Sequence, residues 1–316
     1  MREASAVQLL RNPEDLLGKI PYLLQYHPTD RIVVLYLGPD HHLLVIGSVG
    51  IDAPTADLAD EIRDTATRTG AQSVVIVGYG PLTATGTVTS LVDAVDPHIH
   101  ISYTCLVSAG AYYCLDRGCI CDATTGIQFD PRATETAAHA TVAGEVAWPS
   151  RSDLLALTEP DPDAQDRVRA AFHDARRIER PELVELDELL ERAMLDQRLT
   201  DLEAARLALL LRRRPVREAA WLKTTDHMWQ RNLWLDLTRR IPEPYVAAPA
   251  ALAAWCCWMR GEGPLALAAA RRTAAVDPQN FITTVVVAAI QSKLRPADFM
   301  PAWPPALDDD ATAGPR

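Results

Sequence analysis

Lysine is nearly absent from this chain: of 31 basic residues only Lys19, Lys223 and Lys293 are lysines. Aromatics are few, at 6%, with four phenylalanines. Long apolar runs are missing as well. The most apolar stretches are residues 32–37, 43–49, 74–77 and 285–290. All fall far short of the roughly 18–20 residues that a membrane-spanning helix needs. The opening MREASAVQLLRNPEDLL has no basic start followed by an apolar core and a small-residue cleavage site, so no secretory signal is expected there. These absences point to a cytoplasmic protein without a membrane partner, whose six cysteines are expected as reduced thiols. Catalytic signatures are missing too. There is no serine elbow, no H-E-x-x-H, no phosphate loop ending in Gly-Lys-Ser/Thr and no tight carboxylate cluster.

What remains is globular in character. With 316 residues, 48% apolar and 23% charged, the chain is long enough for two domains that each bury a core. Charge divides them. Residues 1–150 carry 8 Lys/Arg against 17 Asp/Glu, a net of −9, and the remainder is close to balance at −2. An acidic front half argues against nucleic-acid or anionic-membrane binding there, because both need a basic surface.

Local pattern predicts an α/β unit over 1–148. Asn12-Pro13-Glu14-Asp15 has the cap, first-turn proline and early acids of a helix start, and Leu16, Leu17, Ile20, Leu23 and Leu24 follow at helical spacing. Pro21 is expected to kink or divide that helix. Strands are predicted over 31–37 and 43–51, a helix over 55–68 stopped by Gly70, and a strand over 73–77 buried on both faces. A helix over 84–95 and strands over 99–107 and 111–115 complete a mixed sheet, with a tight turn at Ser108-Ala109-Gly110. Loop signals dominate 116–131, before a short helix over 133–143.

Residues 149–162 (PSRSDLLALTEPDP) read as a linker. An all-α domain is predicted over 163–296, with helices over 163–177, 181–195, 200–213, 225–240, 249–259, 264–276 and 278–293. Pro215, Pro242, Pro244 and Gly261-Glu262-Gly263 stand between them as breakers. Residues 297–316 read as a partly disordered tail. The segment from Gly263 to Asn280, with small residues at Ala266, Ala269 and Ala270, has the character of a single tetratricopeptide-like helix pair. No tandem copy recurs at a 34-residue period.

Two stretches carry a family resemblance. Ile20-Pro21-Tyr22-Leu23-Leu24-Gln25-Tyr26-His27-Pro28 leads into a strand. Near the other end stand Tyr245-Val246-Ala247-Ala248-Pro249-Ala250-Ala251-Leu252, Trp255, Gly261-Glu262-Gly263 and Ala274-Ala275-Val276-Asp277-Pro278. Together with Trp234, Arg239 and Pro242 they resemble the actinobacterial domain-of-unknown-function family 4192. The resemblance implies the two-part architecture and an actinobacterial origin, and supplies no activity. The chain departs from the family pattern at Cys119-Ile120-Cys121-Asp122, where paired cysteines and prolines are usual, and at Arg31, where serine is.

Several residues are candidates for chemistry. Cys114, Cys119 and Cys121, with Cys105 and His139 nearby, supply enough thiols for a tetrahedral zinc, the one cofactor the sequence suggests. The C-x4-C-x-C spacing is not a standard zinc pair, and the alternative is a group of small apolar thiols. Gly78 and Gly80, in a turn between a buried strand and a helix, with Thr83 beyond, are candidates to bind an anion; a plain connection is the alternative. His27, Asp30 and Asp52, and further off His98 and His100, are the acid–base candidates, with His27 equally at home beside a helix C-terminus. Residues 206–240 hold nine Lys/Arg against three acids, interleaved with Trp221, Trp229 and Trp234. That composition suits nucleic acid, or a helix core with a solvated basic face, and Arg212, Arg213 and Arg214 are its most concentrated surface.

The expectation is a non-enzymatic interaction, scaffold or ligand-sensing protein whose helical half binds a protein partner or itself. One alternative is an enzyme acting on a small phosphate or nucleotide-like ligand at the strand C-ends. A weaker one is nucleic-acid binding through the basic helical region.

Overall fold

The computed structural model describes residues 13–116 and 125–299. Asn12, Cys119 and Cys121 lie outside them, as does the tail from residue 300. The chain forms two compact units, 1–154 and 155–316.

The first unit is a six-stranded mixed sheet in the order β2-β1-β3-β4-β5-β6. Helix α1 (Pro13–Leu24) leads to β1 (Arg31–Leu37), which pairs antiparallel with β2 (Leu43–Gly50) and with β3 (Ser73–Tyr79). Between β2 and β3 runs α2 (Thr55–Thr69), ended by Gly70 in the left-handed conformation at φ 69°. Helix α3 (Thr85–Val95) carries the chain to β4 (His100–Ser108), which pairs parallel with β3. Strand β5 (Ala111–Cys114) returns antiparallel through Ala109 and Gly110, at φ 48° and 78°, the mirror-image turn that matches strand twist.

Strand β3 is central, and all seven of its residues are buried, which is why Val74–Val77 is continuously apolar instead of alternating. On one face Ile32, Val34, Tyr36, Val74 and Ile76 pack under Leu58 and Ile62 of α2 and Val88 and Leu91 of α3. Register gives the opposite face Val33, Leu35, Val75, Val77 and Cys105, all buried. Helix α1 and α4 (Glu135–Val142) pack against each other, and Leu16, Leu17, Ile20, Ala137 and Ala140 are buried.

Three local expectations are corrected. Helix α1 is not divided at Pro21, which falls in its last turn, where one missing hydrogen bond matters least. Residues 127–128, read as loop, form the edge strand β6 (Ile127–Gln128), two residues too short to leave a periodic signal. Pro215, read as a breaker, occupies the first turn of a helix not anticipated, α9 (Arg214–Lys223); a proline there has no amide bond to lose.

The linker stretch carries α5 (Arg151–Leu155), with Ser150 Oγ accepting from Asp153 N–H at 3.1 Å. Among its described residues the second unit is helical: α6 (Pro162–Ala175), α7 (Glu182–Met194), α8 (Asp201–Leu210), α9, α10 (Met228–Arg240), α11 (Ala247–Met259), α12 (Gly263–Ala274), α13 (Phe281–Gln291) and α14 (Pro296–Phe299). Asp161, Thr200 and Asn280 cap α6, α8 and α13 with side-chain oxygens, Thr200 in a reciprocal box with Glu203. Helix α11 is buried on every side from Pro249 to Trp258, so it is the unit's axis, packed by α10, α12 and α13. Trp255 donates to Thr224 O at 3.1 Å and meets Trp221 edge-on.

Candidate functional site

The sheet end expected to carry chemistry does gather some of its candidates. Register sets Arg31 opposite both Gly50 and Tyr79, so Asp30, Ile51 and Gly80 fall at one end of three adjacent strands. Asp30, exposed and at φ 51°, accepts from Ile51 N–H at 3.0 Å. Its Oδ1 lies 3.6 Å from where a Cβ on Gly80 would be. Asp52 curls back over Gly50, and its carboxylate is exposed.

The amides do not present themselves as expected. Gly78 lies inside β3, between Ile32 and Leu106, and a Cβ there would meet Val88 Cγ2 at 2.6 Å. Glycine is needed at 78 for α3 to close on the sheet. Gly80 N–H donates to Val107 O at 3.1 Å. Neither glycine amide is therefore turned toward a ligand. Thr83 is an exposed residue of the short turn before α3.

His27 lies elsewhere. Its backbone N–H binds Trp148 O at 2.9 Å. Burial, then the positive charge of Arg132, hold the imidazole below its usual range against the opposing pull of Asp130. The groups acting on it are thus Arg132 and Asp130, not Asp30 or Asp52. Of the zinc candidates, Cys114 pairs across the sheet with Cys105, and Cys119 and Cys121 lie outside the described residues. His139 is exposed and beside Glu135 at 3.8 Å. Among the described residues no group of three or more His, Cys, Asp or Glu is placed to hold a metal ion.

The basic stretch 206–240 is largely engaged. Arg206 makes a bidentate pair with Glu185, Arg231 binds Glu262 at 2.6 Å, and Arg240 binds both Asp201 and Asp236 at 2.7 Å. Arg212 sits over the Tyr245 ring, Arg213 pairs with Glu182 at 3.1 Å and Arg214 with Glu218 at 2.6 Å. Trp234 is fully buried and Trp221 packs in the core. Arg213 and Arg214 keep their side chains largely exposed in these pairs, whereas Arg206, Arg231 and Arg240 are largely buried in theirs.

The third tryptophan differs. Trp229, in the first turn of α10, is half-buried in a groove of about 210 Å³ between α10 and the α7–α8 connection. Leu199 and Leu233 line it, and Asn232, Arg198 and Asp236 add polar groups. Met194 and Leu195, at 55% and 67% exposure, stand beside it at the end of α7. Asp196 follows in the left-handed conformation with its carboxylate exposed on the rim. Sequence reasoning missed this groove because Met194 and Leu195 look like the last turn of an ordinary amphipathic helix.

A second, larger cleft of about 470 Å³ opens at the end of the sheet where β3 and β4 begin. Arg63, Thr67, Gln72, His98 and His100 line it. Arg63 is held there by Ala94 O, at 3.2 Å, and by Asp60.

No helix among the described residues is long and apolar enough to cross a membrane. No curated protein and no solved structure matches the chain. One family model does, over residues 13–297, which spans both units and includes both of the motif stretches that carry the resemblance. The chain belongs to the family described as Domain of unknown function (DUF4192).

Proposed function

We propose that this is a non-enzymatic cytoplasmic interaction protein whose helical unit holds a protein partner in the Trp229 groove, while the α/β unit serves as scaffold. The observation that carries this reading is the groove itself. At about 210 Å³ it is smaller than the roughly 300–1,000 Å³ of small-molecule sites, and it suits one large apolar side chain. Its aromatic wall, Trp229, is of the residue type most enriched at binding hot spots. Charge narrows the occupant: the exposed Asp196 carboxylate on the rim favours a Lys or Arg next to the apolar anchor.

The test is selection of a displayed random-peptide library on the full-length protein, with light scattering of the protein alone. Enrichment of peptides pairing an aromatic or aliphatic anchor with a basic residue, and lost on Trp229→Ala, is the expected result. A dimer that dissociates on the same substitution would put a second copy in the groove instead. Enrichment indifferent to Trp229 would overturn the reading.

The small-ligand alternative has one observation in its favour. The cleft lined by His98 and His100 has the volume of a metabolite site, although it lies at the opposite end of the sheet from the strand C-ends. A thermal-shift screen with nucleotides and sugar phosphates tests it, since a ligand at 100 times its Kd adds about 2.7 kcal/mol.

A further inference from the structure

The β4–β5 hairpin places two thiols directly opposite one another. Cys105 and Cys114 are register partners. The two-residue turn at Ala109 and Gly110 fixes which partners share hydrogen bonds, because bonded and non-bonded pairs alternate from the closing pair Ser108 and Ala111. Counting outward, Leu106 and Tyr113 are a bonded pair and Cys105 and Cys114 a non-bonded one. The next bond along, Leu115 N–H to Thr104 O at 3.0 Å, agrees with that phase. Non-bonded partners stand with Cα atoms about 4.5 Å apart and side chains on the same face. That separation lies inside the roughly 4.4–6.8 Å that a disulfide spans.

The two sulfurs differ in access. Cys105 is fully buried, whereas Cys114, at the open end of the hairpin, is partly exposed. The geometry points to Cys114 as a site of thiol–disulfide exchange with small-molecule disulfides, which Cys105 resolves by closing a Cys105–Cys114 cross-strand bond. In the first step the Cys114 thiolate attacks one sulfur of the small disulfide. The S–S bond breaks, one thiolate leaves and takes up a proton, and a mixed disulfide stays on Cys114. Cys105 then attacks the Cys114 sulfur from across the ladder, the Cys114–small-thiol bond breaks, and the departing thiolate takes up the proton that Cys105 gives up. Two protein thiols have lost two electrons and two protons, and the disulfide has taken both as two thiols.

Burial raises both thiols above their ordinary range; a hydrogen bond with Tyr103 opposes the rise at Cys105, and one with the Asp116 backbone opposes it at Cys114. Little thiolate exists at neutral pH, so exchange is slow there and quickens as pH rises.

The experiment uses the full chain with glutathione disulfide as the probe, followed by non-reducing peptide mapping. The expected product is a peptide linking Cys105 to Cys114, two hydrogens lighter than the reduced pair and formed faster at pH 9 than at pH 7. Cys105→Ser should leave glutathione on Cys114, and Cys114→Ser should leave Cys105 unmodified. Because a buried substitution can impair folding, mapping of the unsubstituted chain decides by itself. Absence of the Cys105–Cys114 peptide at full consumption of the exposed thiols overturns the inference. So does a Cys114 linked instead to Cys119 or Cys121.

Discussion

Gly18 of α1 faces the side chain of Thr134, whose hydroxyl caps α4 by accepting from Ala137 N–H at 3.0 Å. A Cβ on residue 18 would fall onto the Thr134 hydroxyl and methyl groups, so the helix pair closes only with glycine there. Overpacking a buried contact costs about 1–3 kcal/mol, more than the gain of about 1 kcal/mol from alanine in a helix interior. Gly18→Ala should therefore lower the thermal midpoint of the α/β unit. Thr134→Gly alone should lower it slightly, since glycine remains an acceptable cap. Combined, the two should be more stable than the sum of their separate effects predicts. Strict additivity in thermal unfolding would show that α1 can back away from α4.

His27 makes the stability of the same unit depend on pH. Its imidazole titrates below the unfolded value of 6.5 because burial and Arg132 disfavour the cation. The unfolded chain thus takes up the proton first, and stability is lost as pH falls from about 6.5 toward the folded value. Replacing His27 with glutamine should flatten that part of the stability profile, measured by urea unfolding between pH 7 and pH 5. An unchanged slope would assign the dependence to other groups.

How legible these features were depended on how local their cause is. The strand 73–79 and the Gly70 stop announce themselves because continuous burial and a positive φ each select residue types directly. Pro215 misled because proline ends one helix and starts the next with equal ease, and only packing decides between them. The Asp30–Gly80 meeting was half legible. Strand ends pointed to the region, but register alone shows that Gly78 stays in the ladder. The Trp229 groove was illegible, because nothing in a helical pattern tells which of three tryptophans faces solvent.

Glu262 offers a test of the helical core. Only 2% of its side chain is exposed, and its two oxygens bind Arg231 at 2.6 Å and Arg260 at 2.8 Å. Removing one member of such a group leaves the others charged and desolvated, which costs about 3–5 kcal/mol. Glu262→Ala should therefore destabilise the helical unit severely. Glu262→Gln, which keeps two polar atoms but not the charge, should fall between it and the parent. Calorimetry on the three proteins checks the order, and a neutral Glu262→Ala would mean that water reaches the guanidinium groups.

Trp229 and Trp234 lie on the same helix five residues apart, and they separate binding from folding. Trp234 is wholly enclosed, and its replacement by alanine should cost about 3–5 kcal/mol of stability. Trp229 is half in solvent, and the core face of α10 is carried by Leu233, Trp234 and Leu237 instead. Trp229→Ala should therefore leave circular dichroism and the thermal midpoint nearly unchanged. A truncated hot-spot anchor loses 2 kcal/mol or more, so affinity for a selected peptide should drop at least about 30-fold. Asp196→Lys, on the rim, should reverse the preference for basic residues beside the anchor and slow association more than it speeds release. Both variants folding normally while peptide binding stays at the parental level would remove the groove from the function. Loss of binding confined to Trp234→Ala would say the same, since that variant reports only on unfolding.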